Sequence, residues 1–347
     1  MKKILVASSA LVAVAFAGQA SASEKISLSV GGYMEQWAGV ASQDDAYASR
    51  NAFQSDTEVH FKGSTTLDNG IEIGAAIEIE AQGGTGNHVD EQYLYVNGGF
   101  GQIKLGAEDG AAADMATLAP STGAVVAQDG DLGNWVDLST PNANYLGAGS
   151  TGGASNDAKR VTYYTPVLGG FRAGVSYADS INSETNNTVT DNNSRVSVGV
   201  EYIGDFDGVS LKVSAVGEDD QASEGQWWHT GAQVGFGNFT VGGSYGVQDS
   251  ELNAGVSTAN DQEVTGYDLG VSYAMDAATV SATYYSEEEE QGTGAGEDEL
   301  DVVALGLNYT LGAGVEWKSS VFWFDNARAA ATDNDGYGVV TGIKLSF

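Results

Sequence analysis

The chain has 347 residues, 14 of them basic and 47 acidic, and no cysteine. A formal charge of −33 excludes a nucleic-acid partner, which requires a basic face, and the missing thiols exclude a disulfide framework or a thiolate site. Three prolines against 48 glycines suit strands joined by tight turns, and the acidity favours attraction of cations.

In chain order, the first element is an export leader. Met1-Lys2-Lys3 is basic, Ile4 to Gly18 is apolar, and Ala20-Ser21-Ala22 is a small-residue cleavage site. Residues 1–22 are therefore expected to be a cleaved signal peptide, leaving 23–347 as the folded unit. The apolar run is too short to anchor in a bilayer, and no later run approaches the length of a spanning helix. If the mature chain crosses a membrane, it must do so as a closed barrel, because only helices and barrels satisfy their backbone polar groups in lipid.

Beyond the leader the hydrophobic period is two. Ile71, Ile73, Ala75, Ile77 and Ile79 share one parity, against Glu72, Gly74, Ala76, Glu78 and Glu80. Tyr337, Val339, Thr341, Ile343, Leu345 and Phe347 do the same near the C-terminus. The pattern predicts strands at 26–40, 54–67, 71–82, 89–97, 100–106, 159–167, 170–179, 193–204, 208–218, 226–236, 238–249, 262–275, 278–288, 298–311, 314–325 and 336–347. Short turns such as Asp68-Asn69-Gly70 alternate with long polar connections such as Ser180 to Asn192. An even strand count with short turns at one end and long loops at the other is the pattern of an outer-membrane barrel. Aromatics near strand ends, among them Tyr33, Trp37, Tyr95, Phe171, Trp227, Phe239 and Trp323, fit two interfacial girdles. The expected fold is all-β: a 16-stranded antiparallel transmembrane β-barrel.

The third long connection, about 107–157, stands apart. It is rich in Gly and Ala and carries Glu108, Asp109, Asp114, Asp129, Asp131 and Asp137. An irregular run of this length is usually functional, and here it is expected to fold inward and narrow the bore. Apolar parity must meet lipid, so the opposite parity meets water. That rule turns Lys62, Lys104, Arg160, Arg172, Arg195, Lys212, Lys318 and Lys344 inward, with Arg50 beside them, together with Glu58, Glu72 and Glu78. The three histidines are too scattered for a metal triad. His60, beside Ser64, lacks the elements of a hydrolase and reads as a pore-lining polar residue. No catalytic residue and no cofactor are expected.

The signal peptide, the opening strand with Gly31-Gly32-Tyr33, and Glu58-Val59-His60-Phe61-Lys62-Gly63 stand in a telling order. So do Phe100-Gly101-Gln102-Ile103-Lys104-Leu105-Gly106, leading into the acidic loop, and the terminal Phe347. Over its whole length the chain resembles the general diffusion porins of Gram-negative bacteria, the alpha-proteobacterial branch in particular. The resemblance implies an outer-membrane homotrimer whose third long loop forms an eyelet. Loop carboxylates would then face a ladder of basic wall residues, and such rows of charge select ions. On the loop the candidates are Glu108, Asp109, Asp114, Asp129 and Asp131; on the wall they are Arg50, Lys62, Lys104, Arg160, Arg172 and Arg195. Phe347 resembles the terminal aromatic read by barrel-assembly machinery. The acidic runs, with Glu287, Glu288, Asp333 and Asp335, are candidates for Ca²⁺ bridging to lipopolysaccharide, although their spacing is not that of an EF-hand. The expected function is passive diffusion of ions and small hydrophilic solutes with a weak cation preference. Alternatives are a substrate-selective porin or, from another class, a secreted acidic β surface or adhesin protein.

Overall fold

The computed structural model describes residues 26–44, 46–47, 50–81, 88–138, 158–179, 194–220, 225–249, 263–291, 296–329 and 331–347. The expected signal peptide at 1–22, and the 139–157 part of the third long loop, lie outside these residues.

Sixteen strands follow one another in the predicted order. They are β1 (Ser27–Gln43), β2 (Arg50–Thr66), β3 (Glu72–Glu80), β4 (Val89–Gly98), β5 (Gly101–Ala107), β6 (Lys159–Tyr164), β7 (Phe171–Ala178) and β8 (Arg195–Phe206). Then come β9 (Val209–Asp220), β10 (Gln226–Phe236), β11 (Phe239–Asp249), β12 (Glu263–Ala274), β13 (Ala278–Gln291), β14 (Gly296–Gly312), β15 (Val315–Ala327) and β16 (Asn334–Ser346). Each pairs antiparallel with its neighbour in sequence, and β16 returns to β1 to close a single barrel. The seam runs from Tyr33 opposite Ser346 to Gln43 opposite Gly336. Gly32 and Phe347 extend it by exchanging backbone hydrogen bonds of 3.0 and 3.1 Å. Closure leaves no open strand edge, the one arrangement of strands that hydrocarbon tolerates.

Burial is inverted relative to a soluble protein. Leu94, Val198, Val200, Leu269, Leu305 and Val339 are exposed on the outer parity, whereas Arg195, Ser197, Ser214, Asp268 and Ser320 are buried on the inner one. The outer surface carries aromatic pairs near strand ends, Phe239–Tyr273 at 4.5 Å and Trp228–Tyr245 at 5.5 Å between ring centroids. Four of the aromatics expected in the girdles sit elsewhere. Register places Tyr33, Trp37, Tyr95 and Trp227 on the inner parity, opposite Glu58, Gly342, Gly74 and Glu218.

Strand ends differ from expectation where the strands rise beyond the membrane. β2 starts at Arg50 rather than residue 54, and β13 and β14 run on to Gln291 and back from Gly296. Strands of 17 residues exceed the roughly 9–11 needed to span. The acidic run Glu287 to Glu290 is therefore paired strand, with Glu288 opposite Glu299, and not the loop tip its composition suggests.

Candidate pore constriction

The third long loop leaves β5 at Ala107 and lies inside the barrel. Its path is set by the wall. A short helix, α1 (Ala111–Met115), has no side chain of its own capping its first turn. The wall supplies the missing acceptors: the Ala111 and Ala112 amides donate to Ser176 Oγ (3.1 Å) and Ser197 Oγ (2.8 Å). Past the helix, Ala119 N–H donates to Asp268 (2.9 Å), Thr122 to Ser281 (2.9 Å), Gly123 to Asn308 (3.0 Å), and Ala124 and Val125 both to Ser320 (2.8 and 2.9 Å). A strand-free backbone run can sit inside a barrel only if such groups find partners, and here β7 to β15 provide them.

Glycines make the approach close enough. A Cβ at Gly231 would lie 1.7 Å from the Thr117 carbonyl oxygen, and one at Gly306 the same distance from that of Thr122. Two 3₁₀ turns follow, Ala127–Asp129 and Asp131–Asn134. The loop then ends its described course on an apolar patch. Val125, Leu132, Trp135, Val136 and Leu138 pack with Tyr285, Val302, Phe322, Phe324, Val340 and Ala41. This is a hydrophobic core inside the lumen, built on inner-parity residues of β13 to β16 and β1. Asp137 N–H donates to Gln43 Oε1 at 2.6 Å and Asn326 Nδ2 to the Leu138 carbonyl at 3.2 Å.

The described part of the loop thus lines the wall from β7 to β15, reaches β1 and β2 at Trp135 and Asn134, meets β5 at Lys104, and leaves the middle of β2 and β3 clear of its described residues. There the inner parity carries Glu58, His60 and Lys62 on β2, opposite Glu80, Glu78 and Ala76 on β3.

The sequence-derived candidates fall as follows. Glu108 is buried, with Oε2 2.5 Å from Lys104 Nζ; burial pushes its carboxyl up, and Lys104 opposes that push. Asp114 meets Lys104 at 3.3 Å and accepts a hydrogen bond from the Tyr164 hydroxyl. Asp109 is half-buried. Asp129 closes its turn and is exposed. Asp131 accepts the Val126 N–H at 2.9 Å and is pushed up to about 7 by burial, with Asp129 adding to the rise.

On the wall, the inner face holds Lys62, Lys104, Arg160, Arg172 and Arg195. Lys62 pairs with Glu78 (2.7 Å) and Arg172 with Glu201 (2.7 Å). Arg195 is buried against Glu218 (3.2 Å), and Arg160 is buried with its Nε donating to the Ala158 carbonyl (3.2 Å). Arg50 opens β2 opposite Ala41; its side chain lies outside the described atoms. Among the described side chains, Lys104 meets the loop acids Glu108 and Asp114, whereas Lys62, Arg172 and Arg195 pair with acids of the wall, and Arg160 and Arg195 are buried.

Sequence reasoning missed Glu35, which holds both Lys344 (2.8 Å) and Lys318 (3.4 Å). It also missed the serine and glycine seat of the loop. The signal available was small residues recurring at inner-parity positions of β7 to β15. Of the four acids considered for Ca²⁺, Glu287 and Glu288 are successive strand residues and face opposite sides of the sheet. Glu287 is buried and accepts a hydrogen bond from the Tyr285 hydroxyl, Asp333 accepts the Arg328 N–H (2.8 Å), and Asp335 lies opposite Asp325. The four do not converge on one point.

A family model described as Gram-negative porin matches residues 7–329. The chain belongs to this family. It is an outer-membrane porin channel and not an enzyme. Solved structures with the same fold include the anion-selective porin from Comamonas acidovorans, at 18% identity and a TM-score of 0.68, covering 93% of this chain and 100% of that one. A mutant of the Rh. blastica porin, at 16% identity and a TM-score of 0.60, covers 92% of this chain and 100% of that one. The trimer form of OmpT from Vibrio cholerae, at 11% and 0.63, covers 94% and 100%. Among curated proteins none matches the sequence. At these identities the likeness speaks for the barrel and not for selectivity.

Proposed function

We propose that this porin is a passive channel for ions and small hydrophilic solutes, weakly cation-preferring. The observation that carries the reading is the charge on the wall that the described part of the loop leaves open. Glu35 alone faces Lys318 and Lys344, but on β2 to β5 the acids Asp56, Glu58, Glu72, Glu78, Glu80 and Glu91 share the inner parity with Lys62, Lys104 and, at the loop end of β2, Arg50. Asp114, Asp129 and Asp131 add to them from the loop. A narrow bore lined by excess carboxylate raises the local concentration of cations. The pairing of Lys62 and Lys104 with carboxylates cancels their repulsion of cations and leaves the excess in force.

On this reading the protein works as a homotrimer, as the trimer form of OmpT does. Phe347, hydrogen-bonded into the closing seam, serves barrel assembly. The outward acids of β13 to β16, Glu288 and Asp335 among them, meet lipopolysaccharide through divalent cations. The deciding experiment is the zero-current potential of single channels in a KCl gradient. A potential of the sign set by K⁺ supports the reading, and one set by Cl⁻ overturns it. A saturable current block by one solute class would instead favour a substrate-selective porin.

A further inference from the structure

We propose that Glu58, His60 and Glu78 form a binding site for a borderline divalent cation, Zn²⁺ or Cu²⁺, on the open wall of the bore. Glu58 and His60 are two apart on β2 and share its inner face, and Glu78 stands opposite His60 on β3. Each carboxylate is held by one oxygen and offers the other. The Tyr33 hydroxyl donates to Glu58 Oε1 at 2.8 Å, and Lys62 Nζ lies 2.7 Å from Glu78 Oε1. The two Oε2 atoms turn to His60 Nε2, at 2.7 and 3.4 Å. All three donor atoms fall within 4.8 Å of one another; ligands each about 2.0–2.2 Å from a common ion stand at most about 4.4 Å apart, so a small rotation of the carboxylates brings all three onto one ion.

Outer partners that fix ligand orientation are what metal sites use to hold a geometry; Tyr33, which also packs edge-on to the His60 ring at 6.2 Å, and Lys62 fill that role here. One imidazole nitrogen with two carboxylates suits Zn²⁺ or Cu²⁺ over the hard cations Ca²⁺ and Mg²⁺. The balance of charge agrees. The carboxylates of Glu58 and Glu78, with Asp56 on the far side of Tyr33 at 3.1 Å, outweigh the Lys62 ammonium, and the Lys344 ammonium over the Tyr33 ring is paired with Glu35. The side chains are 13–23% exposed, on wall that the described part of the loop does not cover, so an ion can enter from the bore.

The test is titration of the purified full chain in detergent with ZnCl₂ by calorimetry and with CuCl₂ by electron paramagnetic resonance. One ion per chain is expected, with the superhyperfine pattern of a single imidazole nitrogen. His60→Gln and Glu78→Gln abolish it, Tyr33→Phe weakens it by about tenfold, and His88→Gln, at an exposed histidine, leaves it unchanged. Heat-modifiable migration on gels confirms that each variant folds. No binding, or equal binding by wild type and His60→Gln, overturns the proposal. In bilayers, micromolar Zn²⁺ is expected to lower the cation current of the wild type and not of His60→Gln, where equal MgCl₂ does nothing. That arm rests on the channel reading; the titration does not, so the two can fail separately.

Discussion

Truncating Trp135 to alanine tests whether packing, and not hydrogen bonding, holds the far half of the inward loop. The indole is 2% exposed and lies on Gly39 so closely that a Cβ there would come within 2.2 Å of the ring. Removing a buried Trp side chain costs about 3–5 kcal/mol. Hydrogen bonds holding the same stretch include those of Asp137 to Gln43, Asn334 to the Asp137 carbonyl, Asn326 and Arg328 to the Leu138 carbonyl, Gln54 to Asn134, and Ala124 and Val125 to Ser320. At about 0.5–1.5 kcal/mol net apiece they sum to as much as the indole or more, but water in the bore can replace them, which it cannot do for the packing. At 1.4 kcal/mol per decade, Trp135→Ala raises the undocked population of residues 124–138 by about two to three orders of magnitude. The sixteen-strand ladder is untouched, so the barrel keeps its resistance to heat and detergent. Single-channel recording is expected to show larger and noisier conductance, and amide exchange faster protection loss at Val125, Leu132 and Val136 alone. Wild-type conductance, noise and exchange in the variant would refute the reasoning.

Other perturbations bear on the seat and the charges. At Gly231 and Gly306 a Cβ would stand only 1.7 Å from a loop carbonyl oxygen. Gly231→Val or Gly306→Val therefore pushes the loop into the lumen, and conductance falls with the fold intact, as bilayer recording and gel migration would show. Burial raises Asp131 from 3.8 to about 7, so between those values the docked loop holds a proton that a released loop would not. Docking therefore strengthens as pH falls from about 7 towards 4, while cation preference declines as this charge is lost; zero-current potentials and current noise against pH check both, and Asp131→Asn flattens this component. Glu35→Gln frees Lys318 and Lys344 from their shared partner and shifts the zero-current potential towards that of a non-selective pore.

The strand count and the side of each strand that meets lipid were legible because hydrocarbon enforces a strict rule. Ile71, Ile73, Ile77 and Ile79, or Tyr337, Val339, Ile343 and Leu345, have one environment and one tolerated chemistry. The rule fails where both faces are apolar. In Phe322-Trp323-Phe324 the tryptophan is 46% exposed and both phenylalanines are buried in the lumen, and Val302 with Val303, or Val339 with Val340, divide the same way. A continuous apolar run at the long-loop end of a barrel strand is thus a mark of something apolar packed inside, which here is the loop from Val125 to Leu138.

The electrostatics of the bore were harder to read because an ion pair across strands depends on register, and register is not a local property of sequence. Arg195 and Glu218 are 23 positions apart and become neighbours only through the pairing of β8 with β9. Facing inward is therefore necessary for a charge to act on a passing ion, but not sufficient. A base that finds a carboxylate within about 3 Å adds a dipole rather than a charge to the field of the pore, and one that is fully buried against its carboxylate, as Arg195 is, offers the solute no free charge. On the proposed reading, the acids with no base beside them on β2 to β4 and on the 3₁₀ turns govern permeation more than the larger set of inward-pointing bases does, and the zero-current potential reports which charges remain uncompensated after pairing.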